Sequence, residues 1–238
     1  MGAGAALITG AAKRIGRAIA LELARAGFDI GIHYRGGAEA AKEAKAEIEQ
    51  LGVRCELFEA DFGPGFQAEE LVRRAAELLP GLSVLVNNVS VFEAGDLLDV
   101  DEKQFERVLA VNLRAPFFLT QAFARHCRKG VVVNILDTRV AQNPTQHFVY
   151  TLSKKALREF TKMAALALAP DIRVSAVCPG AILPPPGQDA SYLAEKARRI
   201  PARRSGSPED VARAVLYLVQ NPFVTGEEIF VDGGEHLL

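Results

Sequence analysis

The stretch AALITGAAKRIG, residues 5–16, decides the fold. Residues 5–9 are apolar up to Thr9 and read as a short buried strand. Gly10 lets the chain turn off that strand, and a helical pattern opens at Ile15. Gly16 lets the helix and the sheet approach closely. A helix that starts just past a strand presents free N–H groups, which suit a pyrophosphate. Two glycines in an alanine- and glycine-rich N-terminus also fit a plain structural turn, so the reading depends on the rest of the chain. Gly2 and Gly4 precede the strand and cannot serve.

The rest repeats the unit. Apolar, β-rich runs at 29–34, 54–60, 83–87, 131–136, 172–178 and 228–232 alternate with helical patterns at 15–26, 38–51, 67–79, 101–127, 146–168 and 208–219. Strands that read as continuous apolar runs belong in a parallel sheet covered on both faces. The expectation is an α/β fold: a Rossmann-like, doubly wound, parallel seven-stranded sheet with helices on both faces and ligands at the carboxyl ends of its strands. No internal repeat or linker divides residues 1–238, so a single domain is expected. Only AILPPPGQD, 181–189, is irregular. Pro184-Pro185-Pro186 cannot lie inside a helix or sheet and predict a shaped loop where a substrate would lie.

Composition narrows the classes. With 28 Lys and Arg against 29 Asp and Glu, the net charge of −1 argues against a general nucleic-acid binder. No apolar run approaches the roughly 20 residues needed to cross a bilayer. The N-terminus lacks the basic region of a secretory signal, and Ala6 stands where myristoylation needs Ser or Thr. Cys55, Cys127 and Cys178 form no Cys-x-x-Cys motif and read as buried, reduced thiols. A soluble cytoplasmic protein is expected, without a metal site and without membrane or nucleic-acid partners.

The second strand ends in His33-Tyr34-Arg35-Gly36-Gly37, with no acid at its tip. An acid there would hold the ribose hydroxyls of NAD and repel the extra phosphate of NADP. Lys13, Arg35 and His33 would instead face a 2′-phosphate, which favours NADP(H), although Arg35 also reads as a solvated loop charge. Asp61 follows the third strand and suits either an adenine amino group or a turn. Asn87-Asn88-Val89-Ser90 closes the fourth strand, where backbone carbonyls would hold the cofactor ribose.

Tyr150 and Lys154 stand four apart in YTLSK and share one helix face. A phenol with a pKa of about 10 exchanges protons poorly at neutral pH, and a nearby ammonium favours the phenolate. The pair recurs by chance in many helices, but here it follows the fifth strand of a chain with a glycine loop at the first.

With these residues together, the chain resembles the short-chain dehydrogenase/reductase family along essentially its full length. The Thr9-Gly10 loop, Asn87-Asn88, Asn112, Tyr150 with Lys154, Pro179-Gly180, and Thr225-Gly226 through Asp232-Gly233-Gly234 fall in family order. The resemblance implies that Asn112 holds a water of a proton relay, that Lys154 also binds the nicotinamide ribose, and that Pro179-Gly180 packs near the nicotinamide. It further implies a cofactor cleft lined by Gly10, Lys13, Arg14, Ile15 and Gly16, by His33, Tyr34 and Arg35, by Asp61 and Phe62, and by Asn88, Val89 and Ser90. Read alone, Asn112 is a polar residue in a helix.

Three departures from the generic pattern agree with one another. Arg14 takes a place in the glycine loop that is usually glycine. Ser90 replaces the glycine of Asn-Asn-Ala-Gly, with Phe92 two residues on, and Asp137, thirteen residues before Tyr150, replaces the usual serine. Each is similar to the pteridine reductases, which reduce pterins and folates with NADPH. Hydride added to a carbonyl leaves an alkoxide that a neutral hydroxyl serves well. Hydride added across C=N leaves a basic nitrogen that must take a proton, and a carboxyl beside the tyrosine can relay it. Phe92 would sandwich a flat ring against the nicotinamide, and Arg14 would reach both pyrophosphate and ring. Substrate contacts are thus expected from Arg14, Ser90, Phe92, Asp137 and Tyr150. The plainer readings are a cap for Asp137, a core or lid aromatic for Phe92, and phosphate binding alone for Arg14. Val89 replaces a usual alanine, and the proline loop lacks the threonine many members carry after Pro-Gly.

These residues predict an NADPH-dependent reductase of a dihydropterin or dihydrofolate. The alternatives are a carbonyl reductase of the 3-oxoacyl thioester type and a non-catalytic NADPH-binding regulator. The resemblance, with the apolar stretch Met163 to Leu168, implies a homotetramer, or at least a dimer.

Overall fold

In the computed structural model the described residues are 4–185, 187 and 189–238. The readings of Gly2 and of Pro186 lie outside them. Seven parallel strands form one sheet: β1 (Ala5–Ile8), β2 (Asp29–Tyr34), β3 (Cys55–Glu59), β4 (Leu82–Asn87), β5 (Gly130–Ile135), β6 (Ile172–Pro179) and β7 (Glu228–Val231). Their order across the sheet is β3-β2-β1-β4-β5-β6-β7. After β3 the chain returns to lay β4 beside β1, so the winding direction reverses between them. That reversal opens a crevice at the carboxyl ends of the two strands, the usual ligand position in such sheets.

Alternation along β1 divides the core. Ala6 and Ile8 join the layer under α1 (Arg14–Arg25), α2 (Ala38–Glu49) and α8 (Pro208–Gln220), with Ile19, Leu23, Ile32, Val215 and Leu218. Ala5 and Leu7 point the other way, into the layer under α3 (Ala68–Leu78), α5 (Ala115–His126) and α6 (Phe148–Leu168), with Leu79, Leu85, Leu119 and Phe123. Successive strand side chains face opposite sides, so both faces are covered and the strands read as unbroken apolar runs. The three cysteines are free and buried.

Three local features differ from expectation. The single helix expected over 101–127 is α4 (Glu102–Leu109), a widened π turn (Ala110–Arg114) and α5. Pro116 has no N–H to offer the carbonyl of Asn112 four residues back, which interrupts the regular ladder there. A 3₁₀ turn (Thr138–Ala141) follows β5, and α7 (Ala190–Ala197) follows the proline loop. Both are too short to show a helical period in sequence. The apolar stretch from Met163 is half covered: Ala164 and Ala165 are buried, while Met163 and Leu166 stand exposed. Among the described residues no helix is long and apolar enough to cross a membrane, and no cluster of side chains suits a metal ion.

Candidate active site

The crevice between β1 and β4 is a cleft of about 390 Å³, lined by Gly10, Lys13, Arg14, Ile15, Gly16, His33, Arg35, Asp61, Phe62, Asn88, Val89 and Ser90 among others. Gly10 has φ +65, and a Cβ on Gly16 would lie 2.2 Å from the Gly10 carbonyl oxygen. Only glycine at 16 lets the turn fold this tightly against α1, whose first turn carries no acidic side chain. Asn88 fastens the turn, its Nδ2 donating to the Thr9 carbonyl at 2.8 Å. Free helix N–H groups at the switch point, framed by a turn that admits no Cβ, fit the pyrophosphate of a dinucleotide. Lys13 reaches the tip of β2, its Nζ 3.9 Å from where a Gly37 Cβ would sit. Arg35 lies 3.6 Å from Asp61 and is largely exposed. Lys13 and Arg35 both line this cleft.

Two expectations for this end are corrected. His33 is no phosphate ligand. Its buried ring stands between two loops, accepting from the Gly10 N–H at Nδ1 (3.2 Å), with Nε2 3.1 Å from the Ala60 carbonyl. Burial pulls its pKa down to about 4, so the imidazole is neutral and props the glycine turn. Phe62 stacks on it, with ring centroids 4.3 Å apart. Tyr34 packs against the core and is not among the residues lining the cleft.

A second cavity of about 420 Å³ continues from the first through Arg14, Ile15, Asn88 and Ser90. Phe92, Asp137, Tyr150, Lys154, Pro179 and Gly180 line it, so all five expected substrate contacts share one chamber. The Tyr150 hydroxyl donates to Asp137 Oδ2 at 2.7 Å. The other carboxylate oxygen, Oδ1, accepts from the Arg139 N–H at 2.8 Å and caps the 3₁₀ turn. The cap reading of Asp137 is met on Oδ1, while Oδ2 stands bonded to Tyr150.

The electrostatics reverse one expectation. Burial first, and the Asp137 carboxylate second, hold the Tyr150 phenol well above its ordinary pKa rather than below it. Lys154 does not reach the hydroxyl. Its Nζ donates to the Ile135 carbonyl at 2.8 Å and lies 5.9 Å from the centre of the tyrosine ring. Burial pulls Lys154 down to about 8, against the opposing pull of Asp137. The phenol of Tyr150 therefore keeps its proton.

Other side chains are already engaged. Asn112, in the π turn, accepts from the Val91 N–H (2.9 Å) and the Ser90 hydroxyl (3.3 Å) and donates to the Val91 carbonyl (3.0 Å) and Ser153 Oγ (3.1 Å). All four positions of its amide are filled, so the side chain braces the loop of Ser90 and has no position left for a relay water. Phe92 meets Tyr150 edge-on with centroids 4.7 Å apart, but His147 stacks on it at 3.9 Å and the Arg139 guanidinium lies over the ring at 4.9 Å. Phe92 is thus less open to a substrate ring than its sequence position suggested. Arg14, at φ +55, donates from Nη2 to the Pro184 carbonyl at 2.8 Å and ties the glycine turn to the proline loop. Sequence reasoning missed Arg139, Tyr192, Lys196 and Glu235, which also line the chamber. Arg139 lay two residues from Asp137 and was within reach; the others stand on the short α7 and the C-terminal turn.

Known proteins match this architecture along the whole chain. The family model described as enoyl-(acyl carrier protein) reductase matches residues 10–236. A short-chain dehydrogenase/reductase (GME11373) of Pestalotiopsis microspora is 32% identical, covering 96% of this chain and 94% of the relative. The 3-oxoacyl-[acyl-carrier-protein] reductase FabG of Staphylococcus epidermidis is 29% identical over 98% of each chain. Among solved structures, FolM alternative dihydrofolate reductase 1 from Brucella suis, in complex with NADP, superposes with a TM-score of 0.95 at 34% identity, covering 99% of this chain and 96% of that one.

Proposed function

The chain belongs to the short-chain dehydrogenase/reductase family, an oxidoreductase family, and from that premise we propose that it is an NADPH-dependent reductase of dihydropterins or dihydrofolates, acting on a C=N bond. The observation that carries this reading is the 2.7 Å hydrogen bond from Tyr150 to Asp137 inside the chamber next to the cofactor cleft. When bound, the dinucleotide supplies the hydride. Tyr150, kept protonated by burial and by Asp137, gives its proton to the ring nitrogen. Tyrosinate beside a carboxylate is unfavourable, so the pair draws a replacement proton from solvent through Asp137. An alkoxide formed at that spot would face the Asp137 charge, whereas a newly formed N–H gives the carboxylate a bond to accept. Similarity to the Brucella suis FolM dihydrofolate reductase, crystallised with NADP, supports the substrate class and the cofactor. Lys13 and Arg35, two cations lining the cleft, support NADPH over NADH.

A second reading, reduction of a 3-oxoacyl thioester, has the similarity to FabG in its favour. An NADPH-oxidation assay with biopterin, dihydrobiopterin, dihydrofolate, dihydromonapterin and a β-keto thioester separates the two. Turnover of a pterin or folate supports the first; fast turnover of the thioester alone overturns it.

A homotetramer in the cytoplasm goes with this reading. Phe117, Phe118, Leu152, Met163 and Leu166 leave α5 and α6 with an apolar surface that one copy does not cover. Light scattering at micromolar concentration tests it, and a monomer would overturn it.

A further inference from the structure

Giving up the Tyr150 proton leaves a charge that the chamber must hold. As the O–H bond breaks and an N–H bond forms on the substrate ring, the electron pair stays on the phenolate oxygen. That oxygen lies 2.7 Å from Asp137 Oδ2, so two negative atoms then face each other in a largely buried site. Like charges this close disfavour one another unless a cation stands beside them. Lys154 does not serve, because its Nζ is turned to the Ile135 carbonyl.

Arg139 stands beside the shared oxygen. Its Nη1 lies 3.6 Å from Asp137 Oδ2, the oxygen that accepts from Tyr150. Its backbone N–H donates to Oδ1 at 2.8 Å, so one residue engages both ends of the carboxylate. The guanidinium is held over the Phe92 ring, 4.9 Å from its centre, and Phe92 in turn meets Tyr150 edge-on. A planar guanidinium stacks on an aromatic face and does not lose its proton in proteins, which suits it to carry a fixed charge here.

The other charged groups of the chamber are engaged elsewhere. Lys196 of α7 pairs with Glu235 of the C-terminal turn at 3.4 Å, and Arg14 bonds the Pro184 carbonyl. The Cys178 thiol of β6 is held neutral, its pKa pushed above the usual thiol range by burial. Tyr192 of α7 lines the same chamber, and His147, just before α6, stacks on Phe92 at 3.9 Å. Burial first and Asp137 second oppose ionisation of Tyr150, and Arg139 pulls the other way.

We propose that Arg139 is an electrostatic positioning residue: its guanidinium holds Asp137 Oδ2 against Tyr150 and offsets the charge left on the phenolate as the ring nitrogen takes its proton. This rests on Tyr150 as the proton donor of the proposed reduction, and deepens that reading. Arg139 thus supplies the charge that the spacing of Tyr150 and Lys154 assigned to the lysine.

The test reads kcat, KM and their pH profiles with dihydrobiopterin and dihydrofolate for the wild type, Arg139→Met, Arg139→Lys, Asp137→Asn and the double variant Asp137→Asn/Arg139→Met. In Arg139→Met kcat should fall about ten-fold or more, the size of one lost opposite charge at this distance, while KM changes less. The solvent isotope effect on kcat should rise with it, because proton transfer is the slowed step. Arg139→Lys should recover part of the rate. Asp137→Asn brings the alkaline limb to lower pH, and adding Arg139→Met should send it back up by about one unit. Ultraviolet absorbance of the phenolate reads the same shift without turnover, the Tyr150 signal being identified by its loss in Tyr150→Phe. NADPH binding, followed by the cofactor's own fluorescence, reports that each variant keeps its fold. A limb and a phenolate titration that Arg139→Met leaves unmoved, or a loss confined to KM, overturns the inference alone. No pterin or folate turnover by the wild type overturns the proposed function, and the phenolate titration still decides the role of Arg139.

Discussion

Asp137 gives one carboxylate oxygen to the backbone and the other to Tyr150, whose hydroxyl donates to it at 2.7 Å. A neutral residue in that place would leave burial alone to hold the proton on the phenol. The carboxylate keeps the proton on Tyr150, and with burial lifts its pKa well above the ordinary phenol. The reduction needs the protonated phenol, so its rate falls as pH rises through that pKa. Asp137→Asn keeps the shape and removes the charge. The alkaline limb of kcat/KM should then move to lower pH. A limb that stays put or moves upward would mean the acid does not govern the tyrosine. Tyr150→Phe, which removes the donor, should lower kcat by about 100-fold or more.

Lys154 is held in its charged form against its burial. A fall from the ordinary 10.5 to about 8 amounts to about 3 kcal/mol of disfavour for the ammonium in the folded protein. Below pH 8 the lysine is charged both folded and unfolded, and the penalty is complete. Between 8 and 10.5 the folded protein gives up its proton first, so stability from this group rises with pH across that window. In Lys154→Met the dependence disappears. Urea midpoints at pH 7 and pH 10 should show the variant losing ground to the wild type as pH rises, by up to about 3 kcal/mol. Parallel curves would refute the assignment.

His33 has the same sign of dependence in a lower window. Its pKa falls from 6.5 to about 4 on folding because the ring is buried between Gly10 and Ala60. Its stabilising form is neutral, so the stability it supports is whole above pH 6.5 and drains away as pH falls toward 4. The loss should reach about 3 kcal/mol, and His33→Gln, which keeps a donor and an acceptor but cannot charge, should flatten it. Denaturant melts at pH 7 and pH 4.5 measure the difference. Equal acid sensitivity in both proteins would show that another group controls it.

These two titrations mark where sequence reading stopped. The period of the strands revealed the sheet because burial on both faces leaves an unmistakable apolar run, as in β1, where Leu7 and Ile8 enter opposite layers. Gly16 was legible because only one residue type lets α1 pass that close to Gly10. The proximity of Tyr150 and Asp137 was legible from spacing, but the sign of the shift on Tyr150 was not. It depends on how dry the site is and on Lys154 turning to Ile135, which no spacing encodes. His33 read as a cation because charge at a strand tip is visible in sequence and burial of one ring is not. Glu235 stayed hidden because a tertiary turn, ninety-eight residues after Asp137, brings it into the chamber.

Arg14 combines strain with function. It adopts φ +55, where a side chain costs about 1–2 kcal/mol relative to glycine, and its guanidinium bonds the Pro184 carbonyl across the cleft. It also lines both chambers, the one suited to the dinucleotide and the one holding Tyr150. Arg14→Gly relieves the backbone and removes the tie, so its melting temperature should equal or exceed that of the wild type. Its kcat/KM for dihydrobiopterin should nevertheless fall about ten-fold or more, the size of a lost charged hydrogen bond. Arg14→Lys keeps the charge and the strain but has a single ammonium in place of the planar fork, so it cannot hold pyrophosphate, loop and ring together. It should be as slow as the glycine variant and less stable. If Arg14→Lys instead retains wild-type turnover, a point charge suffices, and the fork across the cleft serves only to position the loop.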